Sequence, residues 1–156
     1  MPRRPRDQAP GHFHVTTRGN DGMDVFLTVD DRRVFLALLD RVMRDLEWRL
    51  LGWCLMTNHF HLIIETRHDN LSSGMQRLNG VYAQWFNAWH ARKNHLFGKR
   101  FWSKRIEDDS QLQQTADYVL GNPVRAGLCA HPLDWRWLGG PLLLERGRGW
   151  APVPRT

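Results

Sequence analysis

Two histidines one residue apart, His59 and His61, stand in the run W-C-L-M-T-N-H-F-H-L-I-I-E-T at residues 53–66. On a β-strand alternate side chains share a face, so the two imidazoles can hold one metal ion while Phe60 turns away. Such a pair is equally compatible with packing alone. A second H-F-H at residues 12–14 shows that the motif by itself is not diagnostic. His12 and His14 lie near a chain end with few apolar neighbours, and no chemical role is expected of them. The chain has two tyrosines. Tyr82 falls within the apolar stripe of its predicted helix. Tyr118 falls on the polar side of another, with Gln114 and Asn122 and away from Leu112, Ala116, Val119 and Leu120. If either tyrosine is a nucleophile, it is Tyr118. Asn122, one turn further on, could offer an amide oxygen to the same metal, or could cap a helix beginning at Pro123.

These residue types suit phosphodiester chemistry. A divalent ion between His59 and His61 would draw charge from a non-bridging phosphate oxygen and orient the phosphorus for in-line attack. Tyr118 would supply the attacking oxygen. A phenol is a poor nucleophile at neutral pH, but its phenolate leaves readily enough for an aryl phosphodiester to keep the bond energy for rejoining. One tyrosine therefore points to cleavage and rejoining, or strand transfer, rather than digestion.

The elements that must position these groups follow from periodicity and caps. Residues 12–18 have strand composition and end in the turn formers Gly19-Asn20-Asp21-Gly22. Thr28 and Asp31 form a capping box, and Phe35, Leu38, Leu39, Val42, Met43 and Leu46 recur at helical spacing, which predicts a helix over about 29–47. Its Arg32, Arg33, Arg41 and Arg44 are expected on a solvated face. Residues 49–57 form the next strand, and Asn58 opens the strand that carries the histidine pair, with the short spacing favouring an antiparallel neighbour or a bend. A long helix follows to about residue 93, with Leu78, Val81, Tyr82, Trp85, Phe86 and Trp89 as its core stripe. The last helix starts near residues 108–110. In L-F-G-K-R-F-W-S-K-R at 96–105 aromatics alternate with cations, a pattern in which rings stack on unpaired bases and cations take phosphates. Contact to phosphate is expected from at least two of Lys99, Arg100, Lys104 and Arg105.

The 156 residues suit one domain, with residues 1–11 as a flexible basic arm and about 138–156 as a Gly/Pro/Arg-rich tail, poorly ordered from about 146. No membrane span or signal segment is visible, so a cytoplasmic protein is expected. Cys54 and Cys129 are too few and too far apart for a zinc ribbon or a disulfide scaffold. A net charge of +6, with clustered Arg and Lys, favours a polyanionic partner.

M-T-N-H-F-H-L-I-I at 56–64, L-F-G-K-R-F at 96–101 and Y-V-L-G-N-P-V-R-A-G-L at 118–128, together with H-V-T-T-R-G-N at 14–20, resemble the REP-associated tyrosine transposases, single-tyrosine HUH endonucleases. The likeness runs from about residue 12 to about 137. It implies an α+β fold, a ferredoxin-like antiparallel sheet with helices packed on one face, the histidine pair on a central strand and the tyrosine on a C-terminal helix. It further implies Mg²⁺ or Mn²⁺, held by His59, His61 and Asn122. The implied reaction is cleavage of single-stranded DNA near a hairpin, leaving a 5′-phosphotyrosine on Tyr118 and a free 3′-OH. Arg18 and Arg125, inside matched segments, join Lys99, Arg100, Lys104 and Arg105 as expected DNA contacts. Asp117 stands where the resemblance leads one to expect a basic residue. Monomer and homodimer are both open. The alternative is a non-catalytic module, derived from a transposase, that grips hairpin or single-stranded nucleic acid; a hydrolase of small phosphoesters fits the clustered cations less well.

Overall fold

In the computed structural model, which describes residues 9–152, two-residue alternation, with a register shift between Leu50 and Gly52, builds a sheet with two different faces. Strand β1 (Gly11–Arg18) pairs with β3 (His59–Thr66), which pairs with β2 (Arg49–Leu55); β4 (Trp102–Ile106) flanks β1, and the short β5 (Leu138–Gly139) flanks β2. The order is β4-β1-β3-β2-β5 and every pairing is antiparallel. The histidine pair therefore sits on the central strand, as expected.

On one face Phe13 and Val15 of β1 and Phe60, Leu62 and Ile64 of β3 form the main core with α1 (Val29–Leu46) and α2 (Leu71–Trp89). The opposite face carries His14, Thr16, His59 and His61, together with a smaller core. There Cys54, Met56 and Ile63 meet Ala116, Val119 and Leu120 of α3 (Asp109–Arg125) and Leu143 of α4 (Pro141–Arg148). The two long helices thus cover one face, and the tyrosine-bearing helix lies on the other, above the histidines.

Local chemistry accounts for most of these elements. The Thr28 hydroxyl accepts from the Asp31 amide at 3.1 Å, and the Asp31 carboxylate accepts from the Thr28 amide at 3.0 Å, so the capping box is formed. Asp108 caps α3 by accepting from the Gln111 amide at 2.8 Å.

Four expectations are corrected. Arg32 is buried rather than solvated: it donates to the Met56 carbonyl at 2.9 Å and lies over the rings of Phe26, Trp135 and Trp137. In α2 the buried line is Met75, Leu78, Tyr82 and Phe86, whereas Val81 is 42% and Trp89 65% exposed. A helix lying against one sheet and one neighbouring helix buries a narrower stripe than the sequence offered, and Trp85 and Trp89 stack on each other instead, 6.0 Å apart. Asn122 does not cap a new helix, because α3 runs through Pro123 to Arg125. The segment after residue 138 is not a loose tail through residue 148. Gly140, at φ 94°, lies within 2.9 Å of the Gly52 backbone when a side chain is imagined on it, so only glycine allows β5 and α4 to close onto β2. Most of the basic arm, residues 1–8, and residues 153–156 lie outside the described residues.

Candidate active site

The even-numbered positions of β1 and β4 and the odd-numbered positions of β3 point toward α3. His61 is 2% exposed and sits at the centre. Its Nδ1 is 2.9 Å from Thr16 Oγ1 and 2.9 Å from His14 Nε2, and its Nε2 is 3.0 Å from the Asn122 side-chain nitrogen. The His59 Nδ1 lies 2.7 Å from Asn58 Oδ1, which fixes that ring. Its Nε2 is buried and has no hydrogen-bond partner. The Asn122 amide also reaches toward His59, though not in bonding geometry with that nitrogen.

Burial is the main force on all three imidazoles. It lowers His59 to about 4, helped by the nearby Arg18 charge and opposed weakly by Asn122. It lowers His14 to about 4 with help from Lys104, its partner across the β1–β4 pairing. His61 falls furthest, to about 2, with the other two histidines, Arg18 and Arg125 all adding repulsion to the burial. At neutral pH the three rings are therefore uncharged, the form in which imidazole nitrogens bind metals.

Tyr118 is half exposed, at 50%, with its ring centre 5.9 Å from that of His61 and 6.1 Å from that of His14. Its carbonyl accepts from Arg125 at 2.7 Å, and the Arg125 guanidinium lies 4.8 Å over the phenol ring. Gly121 makes that path possible: a Cβ there would come within 2.2 Å of Arg125 Nη1. Asp117 forms a two-pronged ion pair with Arg146 of α4, both contacts at 2.8 Å, which ties α3 to the C-terminal helix. Its acidic side chain has a structural partner in place of the phosphate contact that a basic residue would make.

A groove of about 560 Å³ opens beside this cluster, lined by His14, His61, Trp102, Lys104, Gln114 and Tyr118 among others. Arg18, Thr16 and Trp102 continue from it into a second hollow of about 340 Å³ that also takes in Lys99 and Arg100. Trp102 is 50% exposed and meets His14 edge-on, whereas Leu96 and Phe101 are buried in the main core. Of the expected cations, Arg18, Lys99, Arg100, Lys104 and Arg125 line the groove, its extension or the tyrosine itself. Arg105 borders the groove, but its guanidinium is turned to the other face of the sheet, over Phe13 and bonded to the Ala9 and Pro10 carbonyls.

Among the described residues no three His, Cys, Asp or Glu side chains stand together closely enough to hold a metal. Asn122, with its amide 3.0 Å from His61, is placed to be a third donor beside His59 and His61. The donor set fits: the orphaned Nε2 of His59, the Nε2 of His61, and an amide whose two ends can exchange by rotation to present oxygen. Two imidazoles and one carbonyl oxygen suit Mn²⁺ well and Mg²⁺ less well. His14 and Thr16 were missed by sequence reasoning. The signal was present, since His12, His14, Thr16 and Arg18 alternate with Phe13, Val15 and Thr17, which marks one polar face.

Residues 10–122 match the family model described as "Transposase IS200 like". An Escherichia coli K12 protein, "REP-associated tyrosine transposase", is 26% identical over 97 residues, covering 61% of this chain and 56% of its own length. A Haemophilus influenzae relative of the same class is 26% identical over 93 residues and 53% of each chain. The chain thus spans about half the length of the curated relatives it matches. Among solved structures, "Structure of the REP associates tyrosine transposase bound to a REP hairpin" superposes with a TM-score of 0.76 at 21% identity, over 97% of this chain and 89% of that one. Among the described residues no helix is long and apolar enough to cross a membrane.

Proposed function

The chain belongs to the IS200-like transposase family, and on that premise we propose that it cuts single-stranded DNA beside a hairpin-flanked repeat and transfers the strand through a 5′-phosphotyrosine on Tyr118. The observation that carries this reading is the meeting of Tyr118 and Asn122 of α3 with His61 of β3, at the edge of a groove flanked by cations. The Tyr118 oxygen attacks the phosphorus and loses its proton, the P–O3′ bond breaks, and the departing 3′ oxygen takes up a proton as a free hydroxyl. A divalent ion, Mg²⁺ or Mn²⁺, held by His59, His61 and Asn122 would supply charge neutralisation at the non-bridging oxygens. Arg125, stacked on the phenol, would set a positive charge beside the phosphate that becomes joined to Tyr118. Arg18, Lys104, Lys99 and Arg100 would track the backbone on either side, and Trp102 offers a face for an unpaired base. That one solved relative carries a REP hairpin supports hairpin DNA as the partner.

The test is to incubate the protein with labelled single-stranded DNA flanking a hairpin, in the presence of Mn²⁺. A covalent adduct is expected on Tyr118, abolished by EDTA, by Tyr118→Phe and by His59→Ala. Persistence of the adduct in Tyr118→Phe would sink the assignment, and retained binding with no adduct at all would favour a binding-only module.

A further inference from the structure

The third histidine of the cluster has no role in the scheme above. His14 and His61 lie on adjacent strands 47 positions apart in sequence, and their Nε2 and Nδ1 atoms are 2.9 Å apart. The ring planes differ by 27° and the centres are 5.1 Å apart, the separation of two rings meeting nitrogen to nitrogen rather than face to face. With Thr16 Oγ1 at 2.9 Å from the same His61 nitrogen, the two β1 side chains form a cradle around one edge of the ring, while Asn122 stands at the other edge. His14 is held there by its strand and by the edge contact with Trp102, 5.1 Å between centres.

A short N···N contact between two neutral imidazoles requires one nitrogen to carry hydrogen and the other a lone pair. If His61 holds its hydrogen on Nδ1, His14 Nε2 accepts it, and His61 Nε2 is left with a lone pair aimed at Asn122 and the space beside His59. If the hydrogen were on Nε2 instead, the nitrogen that faces Asn122 could bind nothing electrophilic. We propose that His14, assisted by Thr16, is a positioning residue that fixes His61 as the Nδ1–H tautomer and so aims its Nε2 lone pair at the metal position. Asn58 does the corresponding work on His59. Each ligand ring is thereby locked from behind by a neighbour outside the proposed donor set, an arrangement that governs affinity at other metal sites. This inference rests on the metal-site assignment made above, but its first readout does not.

The experiment is ¹⁵N NMR of the histidine rings in metal-free protein, followed by Mn²⁺ titration calorimetry. His61 is expected as the Nδ1–H tautomer in the wild-type protein; finding hydrogen on Nε2 overturns the proposal without any variant. Replacing both acceptors, His14→Leu with Thr16→Val, preserves bulk while removing the cradle. It should mix the two tautomers and weaken Mn²⁺ binding by about 10 to 100-fold. His14→Gln, whose side-chain oxygen can accept the same hydrogen, should recover most of that loss. Unchanged affinity in the Leu/Val variant, with its folded NMR spectrum intact, would reduce His14 to packing and refute the idea. The expected tautomer in a protein that forms no Tyr118 adduct would refute only the strand-transfer reading and leave this inference standing.

Discussion

Metal-free protein should lose stability steeply as the pH falls from about 6.5 toward 4, because the fold buries three imidazoles in their neutral form. His14 and His59 are lowered from 6.5 to about 4 and His61 to about 2, in each case first by burial. The unfolded chain takes up protons on these rings as the pH passes 6.5, and the folded chain does not until about 4 or below. The unfolded state therefore binds more protons in that window, and stability, fully present above 6.5, drains away as the pH drops through it. A shift from 6.5 to about 4 corresponds to about 3 kcal/mol for each of His14 and His59, at about 1.4 kcal/mol per pH unit and per proton. The three rings repel one another, so their contributions do not simply add. Even two of them approach the roughly 5–15 kcal/mol that holds an ordinary domain together. Urea unfolding followed by tryptophan fluorescence, in EDTA at pH 7.5, 6.5, 5.5 and 5.0, measures the slope. It should correspond to the uptake of two to three protons on unfolding, and His59→Gln should lower it by about one, or about 1.4 kcal/mol per pH unit. Equal stability at pH 7.5 and 5.0 would mean that water or a compensating charge reaches the rings in the fold, and the account of a buried neutral cluster would fail.

Trp102→Ala, at a half-exposed position, should leave stability within about 0.5 kcal/mol while weakening single-stranded DNA binding by about 1–3 kcal/mol, read by fluorescence anisotropy. Gly121→Ala fills the path of Arg125 in the middle of α3. Thermal melting should show unchanged or higher stability, by up to about 1 kcal/mol from helix propensity, while the rate of adduct formation falls because Arg125 is displaced from Tyr118. Asn122→Ala should cost Mn²⁺ affinity of the order of tenfold or more, since even outer partners of metal ligands are worth that much; calorimetry showing wild-type affinity would remove Asn122 from the donor set.

The contrast between the two tyrosines was legible because amphipathic helices sort their residues by face. Tyr82 is buried, with its hydroxyl donating to the Val25 carbonyl at 2.5 Å, and Tyr118 stands half in solvent. The Thr28–Asp31 capping box was legible for a similar reason, as an interaction between residues three apart. His14 was not, because what matters about it is a neighbour 47 positions away, set by the β1–β3 register that pairs Thr16 with His61. The two-residue alternation of β1 would have revealed the polar face but not what lies across from it. Arg105 illustrates the same limit: four cations in one stretch look alike in composition, and only strand parity turns Lys104 toward the groove and Arg105 away. Asn122 followed by proline has the composition of a helix start. The structure overrides that local preference because α3 is held by Ala116, Val119 and Leu120 on the smaller core.

The two halves of the site are thus fixed by different cores. The histidines are placed by the central strand, whose other face is committed to the main core through Phe60, Leu62 and Ile64. Tyr118 and Asn122 are placed by α3, which rests on the sheet through a much smaller apolar patch. The Asn122 amide against His61 ties α3 to the sheet, and the Asp117–Arg146 pair ties it to α4. Apolar burial scales with area, so the hold on α3 is weaker than the hold on β3, and the distance between Tyr118 and the histidines is set by the weaker of the two. The acidic residue before the tyrosine then has a physical reason. A cation at position 117 could not bind Arg146, and the helix that carries the tyrosine would be left with its apolar contact to Leu143 of α4, the other helix on this face of the sheet.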